Sequence, residues 1–193
     1  MNARRLQTSI PSDTQPNPSA WSRRVPVVVL ALLGCAIATY LTLYQWHVTT
    51  SVWDPFFGSQ SSEAVLTSAI SRSLPLPDAT LGALAYLVEA IVTALGGSDR
   101  WWSTPWLVVI FGLVLAGLAL TSLALVLTQV FLVHALCTLC LGSAAISFVN
   151  AWLGRDEVAA TLGALKRATE QGVPLGRALR GPLATPRQQK GMA

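Results

Sequence analysis

Four long apolar stretches divide the chain, and each predicts a helix that crosses a bilayer. The run Val25 to Trp46 holds no charged residue and meets the ~20 apolar residues a crossing requires. Ala79 to Gly97 is a second, slightly short run, interrupted by Glu89, with Pro75 and Pro77 stopping the segment before it and Asp78 placed to cap it. Thr104 to about Thr128 is the third, with Gly112 and Gly117 as expected points of close helix contact, and the fourth runs from near His134 to Leu153. The pattern therefore predicts an all-α protein, a four-helix transmembrane bundle. Residues 47–79 form the only long polar connection between spans; within it Ser61 or Ser62 can cap a short helix reaching about Ser71, whose Val65, Leu66, Ala69 and Ile70 share one face. Such a helix is expected to lie flat at the membrane surface. Trp46, Trp53, Phe56 and Phe57 surround it, either as interfacial anchors or as a lid over a ligand pocket. After the fourth span, Val158, Leu162, Leu165 and Ala168 recur at helical spacing beside Arg155, Lys166 and Arg167, which predicts a surface amphipathic helix.

Composition supports a membrane location. With 52% hydrophobic and 11% charged residues in 193, and a mean hydropathy of +0.53, the apolar side chains exceed what one water-soluble core hides. The net charge of +4 argues for membrane orientation and against nucleic acid, because the basic residues sit in short clusters beside the apolar runs. With a cytoplasmic N-terminus and four spans, twelve of the 13 basic residues fall on the cytoplasmic side and only Arg72 falls outside. This places the protein in the inner (plasma) membrane as a multi-pass chain, both termini cytoplasmic, with residues 1–24 a disordered basic tail, 25–153 the four-span domain, and 154–193 an amphipathic helix and loose tail. Leu32-Leu33-Gly34-Cys35 has the look of a lipoprotein cleavage box and Arg23-Arg24 of a twin-arginine signal, but the apolar run continues through Ile37, Leu43 and Tyr44 where a processed protein would turn polar.

The candidate chemistry lies in Cys137-Thr138-Leu139-Cys140, a CxxC at the start of the last apolar run. Sulfurs three residues apart at a helix N-terminus approach each other, and the unpaired N–H groups there favour a thiolate. In the orientation above they face the extracytoplasmic, oxidising side. His134, three residues before Cys137 and so on nearly the same expected helix face, is a candidate for proton transfer or a plain interfacial residue. Cys35, near mid-span, reads as a small hydrophobe. Glu89 is costly at its depth unless protonated or bonded to another helix, so it is a functional candidate by default. A rival set is His47, His134, Cys137 and Cys140 as a zinc or copper module, although Cys140 lies more than half a turn from His134.

Four spans, a long outer loop with a short helix, a Gly-x-x-x-Tyr at the head of the second span (Gly82, Tyr86) and a CxxC heading the fourth resemble the vitamin K epoxide reductase family over about residues 25–153. The resemblance implies a bundle around a quinone, ubiquinone or menaquinone, which the CxxC reduces. It implies Cys140 as the quinone-facing thiol and Cys137 as the one that exchanges disulfides, with Asp78, Gly82 and Tyr86 binding the quinone; Asp78 stands where the family commonly has an Asn that bonds a quinone oxygen. The family's outer-loop cysteine pair is absent, its positions falling near Asp54 and Ser62, and Ala144 replaces a Tyr one turn after the CxxC. Two alternatives follow: an extracytoplasmic thiol protein attacks Cys137 directly, or the fold persists as a non-catalytic membrane scaffold.

Overall fold

The computed structural model describes residues 17–69, 71, 76–181 and 183, and among them the regular structure is all helix, with no strand. Four long helices carry the architecture: α1 (Trp21–Gln45), α3 (Asp78–Ala94), α5 (Pro105–Thr128) and α6 (Thr138–Glu170), with the short α2 (Ser59–Leu66) and α4 (Arg100–Ser103) in the connections and α7 (Leu175–Arg180) after α6. α1 lies on α3 and α6, and α5 lies on α6 and α3. Their shared interior is layered. Val27, Val92, Leu107, Phe111 and Leu115 fill one end, Ala38, Tyr86, Leu118 and Ile146 the middle, and Leu41, Val52, Leu66 and Ala79 the end beneath α2. The outer faces carry exposed Leu113, Leu120, Phe131 and Trp152, an arrangement that lipid stabilises and water does not. α1 and the continuous helix Pro105–Val133 are long and apolar enough to cross a bilayer, whereas α3, at 17 residues, falls short of the ~20 of a straight crossing.

Two expected boundaries are corrected. Helix α1 starts at Trp21, ahead of the apolar run, because its basic first turn is tied to other elements. Arg23 pairs with Asp156 at 2.8 Å, and Arg24, buried, donates to the carbonyls of Thr93, Leu95 and Gly96 at the end of α3. These carbonyls lack partners within their own helix, and a guanidinium satisfies several at once. Residues 1–16 of the expected tail lie outside the described residues. Likewise α6 does not stop at Leu153 but continues unbroken to Glu170. At Gly154 a Cβ would stand 2.4 Å from the Leu115 side chain, so α5 and α6 touch there, and one turn later Glu157 is buried in a two-pronged ion pair with Arg100 (2.6 and 2.8 Å). Glu157 and Thr161 thus face the bundle interior, while Arg155, Asp156, Lys166 and Arg167 stay on the surface as the amphipathic pattern predicts.

Smaller differences concern the loop and the glycines. α2 ends at Leu66 and not near Ser71, with Ser62, Val65 and Leu66 on its buried side; Ile70 lies outside the described residues. A Cβ on Gly112 would press on Val158 at 3.0 Å, as a close-contact glycine should, but Gly117 has nothing within 4 Å of its Cβ position. Gly117 instead opens onto a cavity.

Candidate functional site

The site is built around the first turn of α6. Cys137 is its N-cap in extended conformation, and its sulfur accepts from the Cys140 amide at 3.1 Å. Cys137 and Cys140 are joined as a disulfide with their Cα atoms 5.2 Å apart. The amide donor favours negative charge on the Cys137 sulfur whenever the pair is reduced. Cys137 is 0% exposed, and its own N–H donates to Gln129 Oε1 at 3.1 Å. Gln129 reaches this point because the end of α5 loosens into a π-helical turn, Gln129–Val133, that turns the amide inward. Sequence reading missed Gln129, whose signal was an uncharged polar residue at the end of a long apolar run.

His134 does not stand one turn before Cys137 on a shared helix. It caps the π-helical turn with a left-handed φ of +54°, is exposed, and residues 134–137 between the two helices have no regular structure. His47 is likewise exposed at φ +59°. Among the described residues no three His, Cys, Asp or Glu side chains gather to hold a metal, so the set of His47, His134, Cys137 and Cys140 is not assembled.

The outer loop closes over the CxxC through Asp54. Its Oδ2 accepts from the Thr138 N–H (2.8 Å) and the Ser62 hydroxyl (2.5 Å), and its Oδ1 from the Thr138 hydroxyl and from the N–H groups of Phe56 (3.0 Å) and Phe57 (2.9 Å). An acidic residue distant in sequence thereby caps α6, where the orphan N–H groups and helix dipole favour an anion. Burial pushes the Asp54 carboxyl up, and the hydrogen bonds from Ser62, Thr138 and the Phe57 amide outweigh it, holding the group well below the usual carboxylate range. Ser61 adds a second stitch, its hydroxyl donating to Leu136 O at 2.7 Å and accepting from Leu136 N at 3.0 Å. Asp54 and Ser62, the positions expected near a missing cysteine pair, therefore do meet, by hydrogen bond in place of a covalent bond. Trp53, Phe56 and Phe57 ride on the outside of this loop, Phe56 at 80% exposed.

Beneath the CxxC lies a cavity of about 720 Å³ between α1, α3, α5 and α6, with Cys140, Asp78, Gly82, Tyr86 and Gln129 in its wall. The size fits a small organic ligand. Ala144 also lines it, and as a small side chain leaves room. Gly82 brings α3 within ordinary contact of Ala38 on α1. The Tyr86 ring lies against Gly34, and its hydroxyl is within 2.5 Å of Ser143 O and 2.6 Å of Ser147 Oγ on α6. Asp78 Oδ1 accepts from Gln45 Nε2 and Ser71 Oγ, both at 2.6 Å, and from the Ala79 N–H. With Oδ1 so occupied, a donor from Asp78 to a carbonyl ligand has to come from a protonated Oδ2.

The model of the vitamin K epoxide reductase family matches residues 25–154. None of the curated proteins compared with the chain matches it. A CxxC heading a helix above an apolar cavity, within a match spanning most of the chain, leads to one assignment: this membrane protein belongs to the vitamin K epoxide reductase family.

Proposed function

We propose that the protein is a quinone-dependent thiol–disulfide oxidoreductase in which Cys137 and Cys140 exchange electrons with a membrane quinone, ubiquinone or menaquinone. The observation that carries the reading is the cavity wall: Cys140 opens onto it while Cys137 stays sealed above it. On this reading α1, α3, α5 and α6 are four spans, α2 lies at the outer surface, both termini are cytoplasmic, and the CxxC faces the extracytoplasmic side of the inner membrane. The domain limits expected from sequence, 1–24, 25–153 and 154–193, become a helical start at Trp21 and a fourth helix extended into the cytoplasm.

The residues divide the work as follows. A thiolate of an extracytoplasmic dithiol partner attacks the disulfide at Cys137 and releases Cys140; the partner's second thiol then breaks the mixed disulfide, leaving the partner oxidised and Cys137 and Cys140 reduced. Access to Cys137 requires the Asp54 and Ser61 stitches to part, so the partner must displace the loop. A quinone, when bound, supplies the two-electron acceptor. Gln129 is its best donor: with Oε1 taken by the Cys137 N–H, the Nε2 hydrogens remain for a carbonyl oxygen in the cavity. Asp78 acts by holding Gln45 and the loop end, Tyr86 by presenting its ring, Gly82 by keeping the wall flat; His134, exposed and apart, retains at most proton exchange with solvent.

Gly117→Leu tests the reading, because its side chain enters the cavity where nothing stands within 4 Å. The variant should lose quinone reduction by roughly a hundredfold, about 2.7 kcal/mol in barrier, while a small dithiol still opens the Cys137–Cys140 disulfide at the wild-type rate. Unchanged quinone reduction in that variant would show that the cavity is not the acceptor site.

A further inference from the structure

One turn below Tyr86 on α3, and one turn below Ser147 on α6, two polar side chains meet inside the bundle. Glu89 and Asn150 are both 0% exposed. Asn150 Nδ2 donates to Glu89 Oε1 at 2.7 Å and to the Val27 carbonyl at 3.4 Å, so the amide orientation is set by two acceptors on two different helices. That leaves Glu89 Oε2 and Asn150 Oδ1, both buried acceptors without a hydrogen-bond partner. Two lone acceptors on groups already joined by the Asn150–Glu89 hydrogen bond are costly, and one proton on the carboxyl supplies a donor that can turn to the amide oxygen. The neighbouring charges do not offer an alternative. Arg24 on α1 and Arg100 on α4 spend their donors on the α3 carbonyls and on Glu157 of α6, and the hydroxyl of Thr93 bonds the Glu89 backbone carbonyl.

We propose that Glu89 and Asn150 form a carboxylic acid–carboxamide pair that stores a proton and delivers it toward the cavity through the hydroxyl layer above it. That layer is continuous: Ser122 donates to Ser147 at 3.0 Å, Ser147 lies 2.6 Å from the Tyr86 hydroxyl, and Ser122 and Tyr86 both line the cavity. The separation between the layers is one helical turn, ~5.4 Å, within the swing of a glutamate side chain. The inference rests on the quinone reading, and the protons balance as follows. A reduced CxxC in which the two sulfurs share one proton closes its disulfide, giving up two electrons and that proton. Reduction of a quinone to a quinol needs two of each. Glu89 gives the second proton, becomes a carboxylate, and takes a proton back from solution to reset.

Infrared spectroscopy of the full-length protein in lipid nanodiscs tests this without relying on turnover. At neutral pH the wild type should show the carbonyl band of a protonated carboxylic acid, absent from Glu89→Gln, which keeps a side chain of the same shape beside Asn150. Glu89→Gln should also slow quinone reduction roughly a hundredfold and alter its solvent deuterium isotope effect, with opening of the disulfide by a small dithiol unchanged. A wild-type spectrum with Glu89 as carboxylate at neutral pH overturns the proposal, as does a Glu89→Gln variant with wild-type rate and isotope effect. The wild-type pH titration of the band decides the matter even where the variant does not fold. A wild type that shows the acid band but never reduces a quinone would sink the quinone reading and the delivery step, leaving only a structural acid–amide pair.

Discussion

Asp54 shows how much one side chain can decide. It takes the Thr138 amide at the start of α6 and latches the outer loop together, because a carboxylate accepts several donors and the start of a helix presents them. Replacing it with Ala should destabilise the fold by about 1 kcal/mol, the usual loss for a helix cap, and should speed opening of the Cys137–Cys140 disulfide by an added dithiol. The measurement is the rate of dithiol opening in variant and wild type; equal rates would show that the loop does not guard Cys137. The pH dependence follows from sign. Asp54 is depressed in the folded protein, so its contribution is complete above the unfolded carboxylate value of ~3.9 and is lost progressively as pH falls from there through the lower folded value. Acid should therefore loosen the loop below about pH 4, and Asp54→Ala should abolish that dependence. The cysteines were legible as a candidate site because two sulfurs at such spacing have few bland explanations, and they do pair. Gln129, Ser143 and Ser147 were not, since hydroxyls and amides in apolar runs become informative only when their partners on other helices are known. The expected placement of His134 one turn before Cys137 failed for a related reason: the spacing assumed a helix that the left-handed residue at 134 interrupts.

At the scale of elements, the four apolar runs were readable because a lipid-facing helix must be apolar over its length, and the structure returns a long helix in each. Boundaries were less readable. The ends of α1 and α6 extend through charged residues that are neutralised by Arg23–Asp156 and Arg100–Glu157, partners more than fifty positions apart. Close approach is similarly invisible in composition: Gly112 touches its neighbour helix, Gly117 does not, and Gly34 and Gly154 admit Tyr86 and Leu115. Gly34→Ala places a Cβ 2.7 Å from the Tyr86 ring, and the ring is held by its hydroxyl to α6. The variant should lose about 1–3 kcal/mol of stability, the range for overpacking a filled interior, read as a lower denaturation midpoint in detergent. A midpoint equal to wild type would mean that the ring moves freely, and that Tyr86 does not define the cavity wall.

For the whole molecule, the layers combine into a device with two faces. The outer loop seals one sulfur, the cavity receives the other, and the Arg24, Arg100 and Glu157 cluster clamps the opposite end of the bundle. Family membership makes thiol–disulfide exchange in a membrane its general activity. The orientation proposed for it predicts that an impermeant thiol reagent, applied to intact cells after reduction, labels a cysteine placed at Ser59 and spares one placed at Gln171. Reversed labelling would put the CxxC on the cytoplasmic side. The central claim is tested most directly by a single turnover. Reduced protein in nanodiscs is mixed without oxygen with a molar excess of ubiquinone or menaquinone, and quinol and free thiols are counted together. One quinol should appear for each Cys137–Cys140 disulfide formed, and none with Cys140→Ser. Disulfide closure without quinol, or quinol from the Cys140→Ser variant, would contradict the account.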